Sequence, residues 1–129
     1  MNSIGGIKRI QIAWVSDSSS WMDLPVGRNN PEVKVVPSET SAGVVYAVSG
    51  VLKVASVVVD EGLKEVFSLL KRKHFMLKYE IGDGSVLLVG SEKFPLRARV
   101  TELTPGAAAG FVGYQIDITG KQPFGAKLV

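Results

Sequence analysis

The chain has 129 residues, of which 46% are hydrophobic and 21% charged, with a formal net charge of +3. That balance excludes wholesale disorder, and the length is enough for one domain with a real core. There is no cysteine and a single histidine. This rules out a disulfide framework, a thiol nucleophile, a cysteine-based zinc site and a histidine-rich metal site.

Ile7 to Val15 is read as a first strand, because Ile10, Ile12 and Trp14 alternate with Arg9, Gln11 and Ala13. Ser16 to Pro31 is read as a long loop, punctuated by Pro25, Gly27, Asn29, Asn30 and Pro31. Val33 to Val36 forms a short strand ending at Pro37, and Ser38 to Gly43 a turn. Val44 to Val59 is long enough for one bent strand or two, with Ser49-Gly50 as a turn or bulge. The run Val57, Val58, Val59 suggests burial on both faces.

Glu61 to Lys73 is the one helix. Asp60 is its cap, and Leu63, Val66, Phe67 and Leu70 form one apolar stripe. Lys71, Arg72 and Lys73 suit the negative end of the helix dipole. Phe75 to Ile81 and Val86 to Val89 are strands joined by a tight turn at Asp83-Gly84. Leu96 to Leu103 alternates, with Arg97 and Arg99 outward. Thr104 to Gly110 is a small-residue loop. Phe111 to Thr119 is the last full strand, and residues 120–129 form a loose tail.

The order points to a mainly β (α+β) domain over residues 1–129, an antiparallel barrel or sandwich of about seven or eight strands with one flanking helix. The opening MNSIGGIKRIQIAW lacks the apolar core of a secretory signal. The most apolar stretch, Gly43 to Val59, is broken by Ser49, Gly50, Lys53 and Ser56, too polar for a membrane-spanning helix. The expectation is synthesis and folding in the cytoplasm, without a membrane partner.

Little in the chain points to catalysis. His74 follows the helix, with no nucleophile beside it in a recognisable motif. Asp60 and Glu61 diverge on a helix, Asp83 sits in a turn, and Glu102 and Asp117 lie on strands facing out. The glycines of GDG and GSEKFP are followed by no helix that would aim its N-terminus at a phosphate. No catalytic, cofactor or metal residue is therefore assigned, and no small-molecule substrate is expected.

Two features point to surface contacts. Arg97 and Arg99, with Lys8 and Arg9, would form a basic stripe if their strands were neighbours. Such a stripe faces nucleic acid or an acidic partner subunit, and the lack of interleaved aromatics disfavours nucleic acid. Trp21, Met22 and Leu24 are large apolar residues in a polar loop. Either the loop folds back so that Trp21 caps the barrel, or it reaches onto a neighbouring subunit with Trp21 as anchor. The candidate interface is Trp21, Met22, Leu24, Arg97 and Arg99.

The stretch Phe75 to Leu128 carries a further pattern. A strand leads to Asp83-Gly84, and an apolar strand ends in Leu88-Val89-Gly90-Ser91. A turn then places Pro95 before Leu96, and Gly113, Tyr114, Ile116 and Ile118 mark a closing strand. This pattern resembles small proteins encoded in phage and prophage structural modules of gut anaerobes. The resemblance implies a self-assembling virion component of tail, neck or tube type, making ring or tube contacts with its own copies and other virion proteins. It implies no catalytic residue. The alternatives are a small binding module for a bacterial protein or nucleic acid and, more remotely, an enzyme assembled from distant acids.

Overall fold

The computed structural model describes residues 7–17, 19–26, 31–41, 43–103 and 113–129. The strands are β1 (Ile7–Trp14), β2 (Met22–Leu24), β3 (Glu32–Thr40), β4 (Gly43–Ala55), β5 (Phe75–Ile81), β6 (Val86–Val89), β7 (Arg97–Leu103), β8 (Gly113–Gln122) and β9 (Lys127–Leu128). The helix α1 spans Glu61–Leu70. All strand pairs are antiparallel, and they build a five-stranded sheet, β2-β1-β5-β6-β9, and a four-stranded sheet, β3-β4-β8-β7. The arrangement is a sandwich, not a closed barrel.

The expected alternation selects the core. Ile10 and Ile12 of β1, Leu77 of β5, Leu52 and Val54 of β4, and Ile116 and Ile118 of β8 are all buried between the sheets. The helix begins where Asp60 accepts a 2.8 Å hydrogen bond from the Leu63 amide, as a capping side chain should. It buries Phe67 and Leu70, each worth about 1.5–3 kcal/mol. The Phe67 ring meets Tyr114 of β8 at 4.8 Å between centroids, tilted by 46°. The helix stops at Leu70, so Lys71 is its terminal cap and Arg72 and Lys73 lie beyond it.

Several expectations require correction. The 16–31 segment is not all loop: β2 pairs with β1 through Ile10–Leu24 and Ile12–Met22. β3 does not end at Pro37 but runs to Thr40. Proline is tolerated there because β3 is an edge strand, paired only with β4. Ser49-Gly50 is neither turn nor bulge, since β4 is continuous and in register with both neighbours. At Gly50 a Cβ would approach the Glu32 carbonyl oxygen to 3.1 Å, which accounts for a glycine inside the strand. The valine run is not buried on both faces: the strand ends at Ala55, a 3-10 turn follows, Val57 is 90% and Val58 49% exposed, and Val59 alone of the three packs partly against the core. The tail is not loose, because β8 continues to Gln122 and β9 adds to β6 through Leu88–Lys127. The loop expected at Thr104–Gly110 lies outside the described residues.

Among the described residues a backbone bridge links the two sheets at the corner formed by Phe75 and Leu96. Beyond Val89 the chain leaves β5, and Leu96 returns to take its place beside Phe75. The two residues exchange backbone hydrogen bonds of 3.1 and 2.8 Å. Leu96 is fully buried and lies against two glycines. A Cβ at Gly90 would fall 2.9 Å from Leu96 Cγ, and one at Gly120 would fall 2.5 Å from Cδ2. Gly90 also has φ +82°, a conformation that L side chains rarely adopt. Gln122, 1% exposed, accepts a 2.8 Å hydrogen bond from Gly90 N–H and donates to the carbonyls of Phe124 and Gly125 at 2.8 and 3.2 Å.

Gln122→Met keeps the side-chain length but strands the buried Gly90 amide, so it should cost about 1–3 kcal/mol. Gly120→Ala should cost a similar amount by overpacking against Leu96, about 1–3 kcal/mol. Urea unfolding of each variant measures this. A loss below about 0.5 kcal/mol, the range of neutral surface changes, would remove the corner from its structural role.

Candidate functional site

The outer face of the five-stranded sheet carries a groove. β5 turns Phe75, Leu77 and Tyr79 toward the core, so Met76 and Lys78 lie on the opposite face. Leu88 of β6 stands opposite Lys78, and Lys127 of β9 stands opposite Leu88. Trp21, Phe94 and Phe124 border the floor formed by Met76 and Leu88, leaving a shallow, open hollow of about 550 Å³. Met76 is only 6% exposed although it lies outside the sandwich.

Each wall is positioned by local structure. Trp21 immediately precedes β2 and is held by its pairing. The Lys78 ammonium lies 4.1 Å from the Trp21 ring centroid, a cation–π contact. Phe94 sits on a tight turn in which Ser91 N–H donates to the Phe94 carbonyl, and Phe94 N–H to Ser91 Oγ, both at 3.1 Å. Phe124 follows Pro123, and its own carbonyl is held by Gln122. The two phenyl rings meet edge to face at 6.2 Å, and Lys127 lies 5.3 Å from the Phe124 ring. Lys93 and Lys127 line the groove against one anion, Glu92.

The β2 strand is clasped to β1 by Arg9, whose Nε and terminal nitrogen donate to the two Asp23 carboxylate oxygens at 2.9 and 3.0 Å. This fork raises the Arg9 pKa and holds the Asp23 carboxyl below the usual carboxylate range. Asp83 is likewise lowered, chiefly by the Ser85 amide that donates to it at 2.8 Å in the β5–β6 turn. Gly84 in that turn has φ +91°, as the Asp-Gly pattern requires.

The expected interface residues separate. Trp21 lies against the outer face of its own sheet, over Lys78. It covers the outer face and caps no barrel, and it stays half-exposed as a groove wall. Met22 is half-buried and lines a second, smaller hollow with Pro25, Val58 and Leu63. Leu24 is 4% exposed and belongs to the core, so it is no surface anchor. Arg97 and Arg99 lie exposed on the outer face of the four-stranded sheet, where Arg99 stands opposite Asp117. Lys8 and Arg9 belong to the other sheet, so the four cations form no common stripe. Lys34, Lys53 and Lys121 share the Arg97–Arg99 face instead, with Glu32 and Asp117 as its acids.

Sequence reasoning missed Phe94, Phe124 and Lys127. The signal was the same one that singled out Trp21: a large apolar side chain in a turn-rich stretch. Among the described residues His74 is exposed beside the helix end, and its carbonyl accepts from Val15 N–H at 3.1 Å. No three His, Cys, Asp or Glu side chains gather to hold a metal ion among the described residues. Nor is any helix among them long and apolar enough to cross a membrane.

A second feature is an arm. β8 pairs with β4 only as far as Tyr46–Gln122, and beyond that point the β3–β4 hairpin has no third strand among the described residues. Val36 through Ser41, Gly43 and Val44 are all exposed, Val36 by 53% and Val44 by 46%. From Val35 to Val48 the sequence holds no cation and one anion, Glu39.

No protein-family model, no curated protein and no solved structure matches this chain.

The Arg9–Asp23 clasp gives a pH-dependent contribution of known sign. Because the folded Asp23 pKa is depressed, its stabilisation is complete above about pH 4 and fades as pH falls through the folded value. Asp23→Asn should therefore lower stability at pH 7, with the gap from the native chain closing toward pH 2. Denaturant unfolding at both pH values tests this, and an equal gap at both would dissociate the clasp from the acid response.

Proposed function

We propose that this chain is a structural, self-assembling subunit of a bacteriophage or prophage particle, of the tail, neck or tube type, working through contacts between copies. The observation that carries the self-assembly is the arm. Among the described residues this β-hairpin runs beyond its last pairing with β8 and leaves Val36 and Val44 about half exposed. Val36 lies on one face of the hairpin and Pro37 and Val44 on the other, so both faces offer apolar side chains for contact.

The sheet edges argue that contacts do not form by simple strand addition. β2 has 3 residues and β9 has 2, too short to template another strand. β3 carries Pro37 and β7 carries Arg97, Arg99 and Glu102, which are the usual guards against edge pairing. Assembly is thereby steered to faces, arm and groove. The phage assignment rests on the sequence pattern now carried by β5, β6, Leu96 and β8. The virion is then its destination, after synthesis in the bacterial cytoplasm, with other virion proteins as further partners.

A second reading, a small binding module for a bacterial protein or nucleic acid, draws on the outer face of the four-stranded sheet. Arg97, Arg99, Lys34, Lys53 and Lys121 there outnumber Glu32 and Asp117. Retention on random-sequence DNA that falls steeply with salt would favour it.

Light scattering at rising concentration tests the first reading. The native chain should show a mass several times that of one copy. Val36→Lys combined with Val44→Lys should return it to one copy, with stability changed by less than about 0.5 kcal/mol because both sites face water. A native chain that stays single at millimolar concentration contradicts the proposal.

A further inference from the structure

We infer that the arm of one copy docks in the aromatic–lysine groove of another. The inference rests on the self-assembly reading and names the two surfaces that meet.

Among the described residues these two apolar surfaces are complementary in charge. The groove carries Lys93 and Lys127 against Glu92, with Lys78 beside it over Trp21. The arm offers Val36, Pro37, Val44 and Val45 with Glu39 as its sole charge between Val35 and Val48. An apolar tip with one carboxylate fits an apolar groove with a cationic rim, and a cationic or strongly acidic tip would not. Lys78 and Lys127 already lie over aromatic rings, which fixes their stems along the walls. Lys93, exposed on the 91–95 turn, is the partner assigned to Glu39.

The position of the two surfaces also fits. The arm and groove flank the same corner of the sandwich: a Cβ at Gly125 would lie 3.7 Å from the Tyr46 ring, and Phe124 beside it is a groove wall. The register of β4 on β8 up to Tyr46 fixes where the arm leaves the sheet. Side-by-side contacts between an arm and a neighbour's groove suit a ring, and their reciprocal form suits a two-fold pair.

The cysteine-free chain allows a direct test. Ser41→Cys at the arm tip and Glu92→Cys on the groove rim are made in separate preparations, mixed and mildly oxidised. A covalent dimer joining the two variants is expected, in excess over that from Ser41→Cys mixed with Ser68→Cys on the exposed side of the helix. Equal cross-linking in the two mixtures, in samples that light scattering shows to be assembled, overturns the docking while leaving self-assembly intact. Absence of any assembly overturns both. As a second arm, Glu39→Lys alone should weaken association roughly fivefold at low salt. Combining it with Lys93→Glu should restore association, and failure of that restoration also counts against the pairing.

Discussion

The whole sandwich depends on one packed corner, where Leu96 fits into the notch left by Gly90 and Gly120. Neither glycine position can hold a Cβ without displacing Leu96, and Leu96 is hydrogen-bonded through its backbone to Phe75 of the opposite sheet. The same notch is sealed by Gln122, whose buried amide satisfies the backbone of Gly90, Phe124 and Gly125 at once. A buried amide with its partners in place fixes geometry, and the cost of leaving any of them unpaired is what makes it specific.

That corner connects packing to the surface. Gln122 determines where the chain goes after β8, and thereby sets Phe124 and β9 against β6. The Ser91–Phe94 turn, which lies between Gly90 and Leu96, sets Phe94. Two of the three aromatic groove walls are therefore direct consequences of how the two sheets are joined. The third, Trp21, is held from the other side by β2, which the Arg9–Asp23 fork fastens to β1. The groove is thus built on a rigid frame. Among the described residues the arm, in contrast, pairs β3 with β4 and has no further strand beside β4 beyond Tyr46.

The frame was legible wherever strands alternate cleanly. Ile10 and Ile12, Leu52 and Val54, and Ile116 and Ile118 announce their faces by period two, and Asp60 with the Leu63–Leu70 stripe announces the helix. The parts that were not legible are those whose stability comes from tertiary partners. β2 is three residues long and has no periodicity to read; its existence depends on Leu24 reaching the core and Asp23 reaching Arg9. β3 continues through Pro37 only because it became an edge. Val57 and Val58 look like core by composition, yet are exposed because the chain leaves β4 at Ala55 and enters a 3-10 turn. The groove was half-visible: Trp21 stood out, but Phe94 and Phe124 are brought to it by chain topology that no local pattern records.

The central claim is that the protruding hairpin is a contact between copies. Amide hydrogen exchange followed by mass spectrometry at two protein concentrations tests this most directly. If the claim holds, exchange across residues 36–45 slows markedly between micromolar and near-millimolar protein, while peptides around Leu96 and Gln122 stay equally protected at both. Hairpin exchange that is fast and independent of concentration would contradict it.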